Sequence, residues 1–312
     1  MVRLKDASKP VQQAMRAGRA LDRTGEGRHT ADKKDGFSRS KGTTRTNTEH
    51  FAVASKWAAE QDDIKRFNAL TPAQAERYLL EKSVDVSDKT LAGYAVALEH
   101  HLQHNCGYSE APKLTRPPSE IPYIRASRAY TQDAVSFLRT HQTARAELST
   151  RLVSEAGLRA HELLTLQRRE ERAPSDRRAW RDDRFTGGDR EGWITYTVNG
   201  KGGLVREIQI SPETASMLES VRHDEPKKVI DRGIAYASRY DVMGGKSYSN
   251  SFSKLSKAQL GHSHGAHGIR HTYAQERMKE LGNAGKRYDD AKEIVSQELG
   301  HFRPSITDIY LR

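Results

Sequence analysis

Residues 111–124, APKLTRPPSEIPYI, constrain this chain more than any other stretch. Four prolines lie in it: Pro112, Pro117, Pro118 and Pro122. Proline lacks an amide hydrogen and its ring clashes with the carbonyl one turn back, so no helix runs through such a segment. The residue before each proline is pushed toward extended backbone. The stretch therefore reads as a stiff linker, and a chain of 312 residues is long enough for a domain on each side of it. The expected organisation is a basic N-terminal arm or disordered segment over 1–46, a helical domain over 47–110, the linker over 111–124 and a second domain over 125–312.

Before the linker the pattern is helical. EHFAVASKWAAEQ puts Phe51, Ala54, Trp57 and Ala58 on one face. Thr71, Pro72 and Gln74 predict a capping box with proline in the first turn. Leu91, Tyr94, Ala95, Leu98 and Leu102 recur at helical spacing, and Gly107 is a plausible stop. The first 45 residues carry twelve Lys and Arg against five acids, so +7 of the chain's formal +11 sits there. They are poor in large apolar residues, which fits either a solvated tail or an arm on nucleic acid.

After the linker the pattern becomes mixed. Helical spacing covers about 131–141, 144–156 and 160–168. Residues 168–192 are charged and aperiodic and read as a loop or insertion. WITYTVNGKGGLVREIQI reads as two alternating strands around a glycine-rich tip, a hairpin. Helical patterning resumes near 211 and loosens over about 230–265. Helices are expected near 268–281 and 288–299, with a short one through Tyr310. The fold class is thus mainly α with a small β-hairpin or sheet, an α+β second domain.

A net charge of +11 points to a polyanionic partner, with nucleic acid backbone first. No apolar run is long enough to span a bilayer and no signal-peptide pattern opens the chain, so a cytoplasmic protein without a membrane partner is expected. A single cysteine, Cys106, supports neither a disulfide framework nor a cysteine-based zinc site.

Four stretches carry chemistry. In SEAGLRAHELLTLQ, Gly157 breaks a helix, and Glu162 follows Arg159 at a spacing that lets a carboxylate brace a guanidinium. Lys201 sits on the hairpin tip. In HGIRHTYAQERMKELG, His267 and Arg270 are one helical turn apart and face the same point. In QELGHFRPSITDIYLR, His301 follows a helix and Tyr310 comes nine residues later. Each stretch alone is weak. An isolated arginine, lysine or tyrosine of this kind is more often surface or core than catalytic.

In this order, G-L-R-x-x-E, G-K-G-G, H-x-x-R-H-T, L-G-H and I-Y resemble the tyrosine recombinase (phage integrase) family. The resemblance covers about 125–312 in motif detail and, more loosely, 47–110. It implies a two-domain DNA clamp, with a helical SAM-like core-binding domain and a tyrosine-recombinase catalytic domain. It also implies a site-specific recombinase that cuts and rejoins DNA through a 3′-phosphotyrosyl link, for integration or excision of a phage or other mobile element. The implied catalytic residues are Arg159, Lys201, His267, Arg270, His301 and Tyr310. Tyr310 would be the nucleophile, and the two arginines would clamp the phosphate oxygens. Lys201 would be the general acid and His267 the base. His301 would bond the phosphate or steady the tyrosine, and Glu162 would brace. The implied partners are double-stranded DNA, a homotetramer on paired sites and accessory DNA-bending proteins, on the nucleoid. No metal, ATP or other cofactor is implied.

The sequence admits three other readings. The same chemistry serves a type IB topoisomerase-like enzyme that relaxes DNA without exchange. His262, His264, His267 and His271 offer a metal-dependent nuclease, since His267 and His271 have a zinc-compatible spacing. Arg270 between them, and no Glu directly after His267, speak against it. A binding module without catalysis is the third. Two features depart from the family pattern: the long 168–192 segment, and a chain stopping two residues after Tyr310. The stop suggests a mobile terminal segment reaching for a phosphate, and leaves open whether Tyr310 serves its own site or a partner's.

Overall fold

The computed structural model describes residues 8–26, 35–122, 126–200 and 202–312. They fall into two compact units, Met1–Ile124 and Arg125–Arg312.

The first unit is helical: α1 (Lys9–Ala20), α2 (Lys41–Ala59), α3 (Pro72–Lys82) and α4 (Asp88–Asn105). Side-chain oxygens satisfy the leading amides of three helices. Ser40 Oγ accepts from Thr43 N (3.1 Å) at α2, and Ser87 Oγ from Thr90 N (3.4 Å) at α4. At α3 the expected capping box is complete: Gln74 N donates to Thr71 Oγ1 (3.3 Å), and Thr71 N to Gln74 Oε1 (3.0 Å). The core gathers Phe51, Phe67, Leu79, Leu91, Leu98 and Leu102. Within it His101 is fully buried, stacked on Phe67 at 4.0 Å, and burial pushes its pKa down to about 4.

The first 46 residues depart from the expected arm. Residues 9–20 form α1, and Ala14, Ala17 and Leu21 belong to the same core. The contact face is made of small residues. A Cβ on Gly18 would come within 2.1 Å of Thr48 Oγ1 on α2. Such close packing by alanine and glycine leaves no large apolar signal to read. Residues 1–7 and 27–34 of the expected arm lie outside the described residues.

The second unit begins with α5 (Gln132–Thr140) and α6 (Ala144–Ala156), then a single 3-10 turn (Glu162–Thr165) where a helix over 160–168 was expected. A three-stranded antiparallel sheet follows, β1 (Gln167–Arg168), β2 (Ile194–Asn199) and β3 (Val205–Ile210). The β2–β3 hairpin is in the expected place, with Tyr196 opposite Ile208 and Val198 opposite Arg206. Next come α7 (Pro212–Ser220), the hairpin β4 (Arg222–Asp231) and β5 (Ile234–Tyr240), and α8 (Gly245–Leu260). The loose 230–265 stretch thus holds a strand and a long helix. Most of β4 is solvent-facing and its register shifts between Arg222 and Lys227, so no alternation shows in its sequence. The unit closes with α9 (Ala266–Asn283), α10 (Tyr288–Glu298) and α11 (Pro304–Thr307).

Helix α9 runs through the interior: Ile269, Arg270, His271, Thr272, Tyr273 and Ala274 are all buried. A helix enclosed on all sides can carry charge only if that charge is partnered. Arg277 donates to Glu298 on α10 through Nε (3.0 Å) and Nη2 (2.8 Å), and Tyr273 Oη donates to the same carboxylate (2.8 Å). Gly157 ends α6 with φ +57, and a Cβ there would lie 2.5 Å from Tyr273 and 2.8 Å from Leu299. Both the left-handed backbone and the lack of space require glycine. Gly157→Ala should therefore lower stability by about 1–3 kcal/mol, read as a shifted urea midpoint. An unchanged midpoint would contradict this packing.

Candidate active site

The site is built around Glu162, in the 3-10 turn and fully buried. Its Oε1 accepts from Arg159 Nη1 (2.7 Å). Its Oε2 accepts from the Arg159 amide (2.9 Å) and from Arg206 Nη2 (2.8 Å). Arg270 Nη1 lies 4.0 Å from the same oxygen. Burial alone would raise the carboxyl's pKa, but Arg206, Arg159 and Arg270 together hold it well below the usual carboxylate range. Arg206 is absent from the residues expected in the site. It shares the inward face of β3 with Ile208 and Ile210. A strand alternation that points an arginine inward demands an acid opposite, and that signal was in the sequence.

Arg270 has no exposed surface. It donates to Leu299 O (2.6 Å) and to Gly157 O, tying α9 to the ends of α6 and α10. Burial and the adjacent Arg159 push its pKa down, and Glu162 opposes them. Arg159 Nη2 and Arg270 Nη2 also converge on one atom, His301 Nε2, at 3.0 and 3.2 Å. A guanidinium only donates, so this nitrogen accepts, and the ring is neutral with its proton on Nδ1. Burial, then Arg270 and Arg159, push the His301 pKa down to about 2.

Tyr310 is buried, with its ring 4.6 Å from that of His271, 5.2 Å from His301 and 5.5 Å from His267, and 5.6 Å from the Arg270 guanidinium carbon. The tyrosine therefore sits beside its own chain's Arg270. Its segment is docked, where a mobile one was expected. Tyr310 N donates to Thr307 O (2.8 Å), and Gln275 Nε2 on α9 donates to Tyr310 O (3.1 Å) and Arg312 O (2.9 Å). His267 opens α9 with one side in solvent, and desolvation of its packed side, then Arg270 and His271, lower its pKa. His271, which the sequence offers only as a metal ligand, has the ring nearest to Tyr310 among these residues. Burial, then Arg128 and Arg270, push it down to about 4.

Five of the six expected residues, Arg159, His267, Arg270, His301 and Tyr310, thus meet at one place. The sixth, Lys201, lies outside the described residues. The histidines of the metal reading fall into ring pairs, His262 with His264 at 5.1 Å and His267 with His271 at 5.5 Å. Among the described residues no group of three or more His, Cys, Asp or Glu is arranged to hold a metal. Among the same residues no helix is long and apolar enough to cross a membrane.

The neutral rings of buried His271 and half-buried His301 make stability pH-dependent. Unfolded, His271 and His301 take up protons below about 6.5, whereas folded they stay neutral down to about 4 and about 2. The unfolded state thus binds more protons in that window, and stability falls as pH falls. Each ring contributes a slope of at most about 1.4 kcal/mol per pH unit. Urea midpoints should drop between pH ~7 and ~5, and His271→Gln should flatten the drop. A flat wild-type profile would contradict neutral burial.

No family model matches the sequence, and no curated protein matches it. Solved structures do. The XerH site-specific recombinase bound to palindromic difH substrate, a post-cleavage complex, aligns at TM-score 0.58 with 14% identity, covering 99% of this chain and 94% of that one. Its pre-cleavage complex with difH aligns at TM-score 0.57 with 14% identity, covering 99% and 96%. Identity this low speaks to architecture, and with the half-helical body and small antiparallel sheets it gives the conclusion that this chain has the tyrosine-recombinase fold along nearly its whole length.

Proposed function

We propose that this protein is a site-specific DNA recombinase working through a 3′-phosphotyrosyl intermediate. One observation carries the reading. A tyrosine, two arginines and neutral histidines meet at one point, although Arg159 and His301 are 142 residues apart in sequence. Arg159 and Arg270 already converge on a single acceptor, His301 Nε2. A non-bridging phosphate oxygen is an acceptor of the same kind, with a charge to match. Arg270 Nε is buried without a hydrogen-bond partner among the described residues, a donor suited to a second oxygen. XerH, the structural neighbour, is a recombinase seen on its DNA substrate.

The reaction exchanges one phosphoester bond for another. Tyr310 Oη attacks the scissile phosphorus and its proton passes to a neutral histidine, His267. The bond from phosphorus to the 5′ oxygen breaks as the tyrosyl ester forms, and Lys201 gives the departing oxygen its proton. Arg159 and Arg270 offset the charge that builds on the non-bridging oxygens, and one such preorganised donor is worth about 3 kcal/mol. Glu162 takes no proton in this scheme; it holds the guanidiniums in place. The reverse step, by the 5′ hydroxyl of a second duplex, rejoins the strand. Because the ester retains the phosphodiester energy, neither metal nor ATP is required. Strand exchange calls for a tetramer on paired double-stranded sites, with accessory bending proteins, on nucleoid DNA. The integrase resemblance extends the reading to integration and excision of mobile DNA.

Nicked duplexes tiled from the DNA flanking the gene provide substrates. Tyr310→Phe should bind them like wild type and form no covalent adduct. Lys201→Ala should slow cleavage by about 100-fold or more. A sulfur at the 5′ bridging position leaves without a proton and should restore that variant. An adduct in Tyr310→Phe would sink the mechanism, and an undiminished Lys201→Ala defect on the sulfur substrate would reassign the acid.

A further inference from the structure

Residues 169–192 take no part in the reaction just described, yet they are tied to both sides of the site. One set of contacts reaches the β2–β3 hairpin. Ser175 N donates to Val205 O (2.9 Å), and Val205 N to Ser175 Oγ (3.0 Å). Arg172 Nη2 donates to Thr197 O (2.7 Å). Arg177 Nη2 donates to Gly202 O at the tip (3.1 Å), and Gly202 directly follows Lys201 in the sequence. The other set reaches the end of α10 and the turn after it. Arg181 N donates to Gln297 Oε1 (2.7 Å), and Phe185 N to Glu298 Oε1 (2.9 Å). The Trp180 ring meets the Phe302 ring edge-on at 4.6 Å, and the Arg178 guanidinium lies 5.7 Å from the same ring.

Phe302 is the residue that needs such support. Its φ is +54, a left-handed conformation that a bulky side chain rarely adopts. Such a backbone persists only where its surroundings hold it. His301, one residue earlier, must keep Nε2 within reach of both guanidiniums. A relaxed Phe302 would alter the turn that His301 opens.

We propose that residues 169–192 form a strut between the β2–β3 hairpin and the His301 turn, with Trp180 positioning His301 and Arg177 positioning the hairpin tip. The strut rests on the reading of the site as a phosphoryl-transfer centre. Both are positioning residues, because neither touches the reacting atoms. The two ends of the strut serve different parts of the reaction, and this separates them from a general structural role. Loss of Trp180 disturbs contacts to the phosphate oxygens, needed whatever the leaving group. Loss of Arg177 loosens the tip that delivers the proton, needed only when oxygen leaves.

The test uses the full chain and the nicked duplexes above, with oxygen or sulfur at the 5′ bridging position. Trp180→Ala should cleave both substrates about tenfold more slowly, and Trp180→Phe should recover most of the loss. Arg177→Ala should be slowed about tenfold on the oxygen substrate and match wild type on the sulfur one. Arg177 is exposed, so its removal leaves the core intact even if Trp180→Ala fails to fold. Wild-type rates in Arg177→Ala and Trp180→Phe together with Trp180→Ala would overturn the strut. So would an Arg177→Ala defect that is equal on both substrates. A wild-type protein that forms no Tyr310-dependent adduct is a different result: it overturns the underlying reading and the strut with it.

Discussion

Three guanidiniums, of Arg159, Arg206 and Arg270, surround one buried carboxylate, Glu162, and the geometry of the site follows from that cluster. Like charges brought together away from water repel strongly and lose their hydration. A carboxylate at their centre offsets both costs and fixes direction, because each guanidinium is a flat fork whose bonds must be made in plane. Arg206 reaches it from the sheet, Arg159 from the turn before it and Arg270 from an enclosed helix. One ionised side chain thus sets the distance between three elements that are far apart in sequence. The cluster leaves donors of Arg159 and Arg270 over, and these meet at His301.

A second buried carboxylate, Glu298, repeats the device two turns further along the same face of α9. It accepts from Arg277 and Tyr273 and from the amide of Phe185. Together the two acids fix α9 at Arg270 and at Arg277, two turns apart along one face. Tyr310 then comes to its position by docking its own segment against the same helix, through the Gln275 amide. The proposed attack on phosphorus needs Tyr310, the two arginines and His267 in register, and one helix carries Arg270 and His267 and contacts Tyr310.

Much of this was legible in the sequence, for physical reasons that differ by element. The capping box at Thr71 and the glycine-rich hairpin advertise themselves because local chemistry dictates local shape. Arg159, His267, Arg270, His301 and Tyr310 were legible as an ordered set, since no single one has a distinctive environment in sequence. Arg206 was not legible because a charged residue on a hairpin flank reads as a solvated position, although its alternation with Ile208 and Ile210 points it inward. α1 was missed because alanine and glycine pack it, and hydrophobicity reads such a face as polar chain. β4 and α8 were missed for another reason: β4 is too exposed to alternate, and α8 interrupts its buried face of Tyr248 and Phe252 with Ser256. The docking of the tyrosine segment combines apolar packing of Ile306, Tyr310 and Leu311 with the Gln275 amide on two backbone carbonyls, and those carbonyl contacts leave no pattern in the sequence.

The central claim is that Tyr310 carries the DNA strand through the reaction. The most direct measurement is to trap the adduct on nicked duplex in EDTA, digest it with protease and nuclease, and locate the nucleotide by mass spectrometry. The account predicts a 3′-nucleotide ester on Tyr310. A nucleotide on another side chain, such as the solvent-exposed Tyr288, or strand cleavage that leaves no adduct and starts only when a divalent metal is restored, would contradict it.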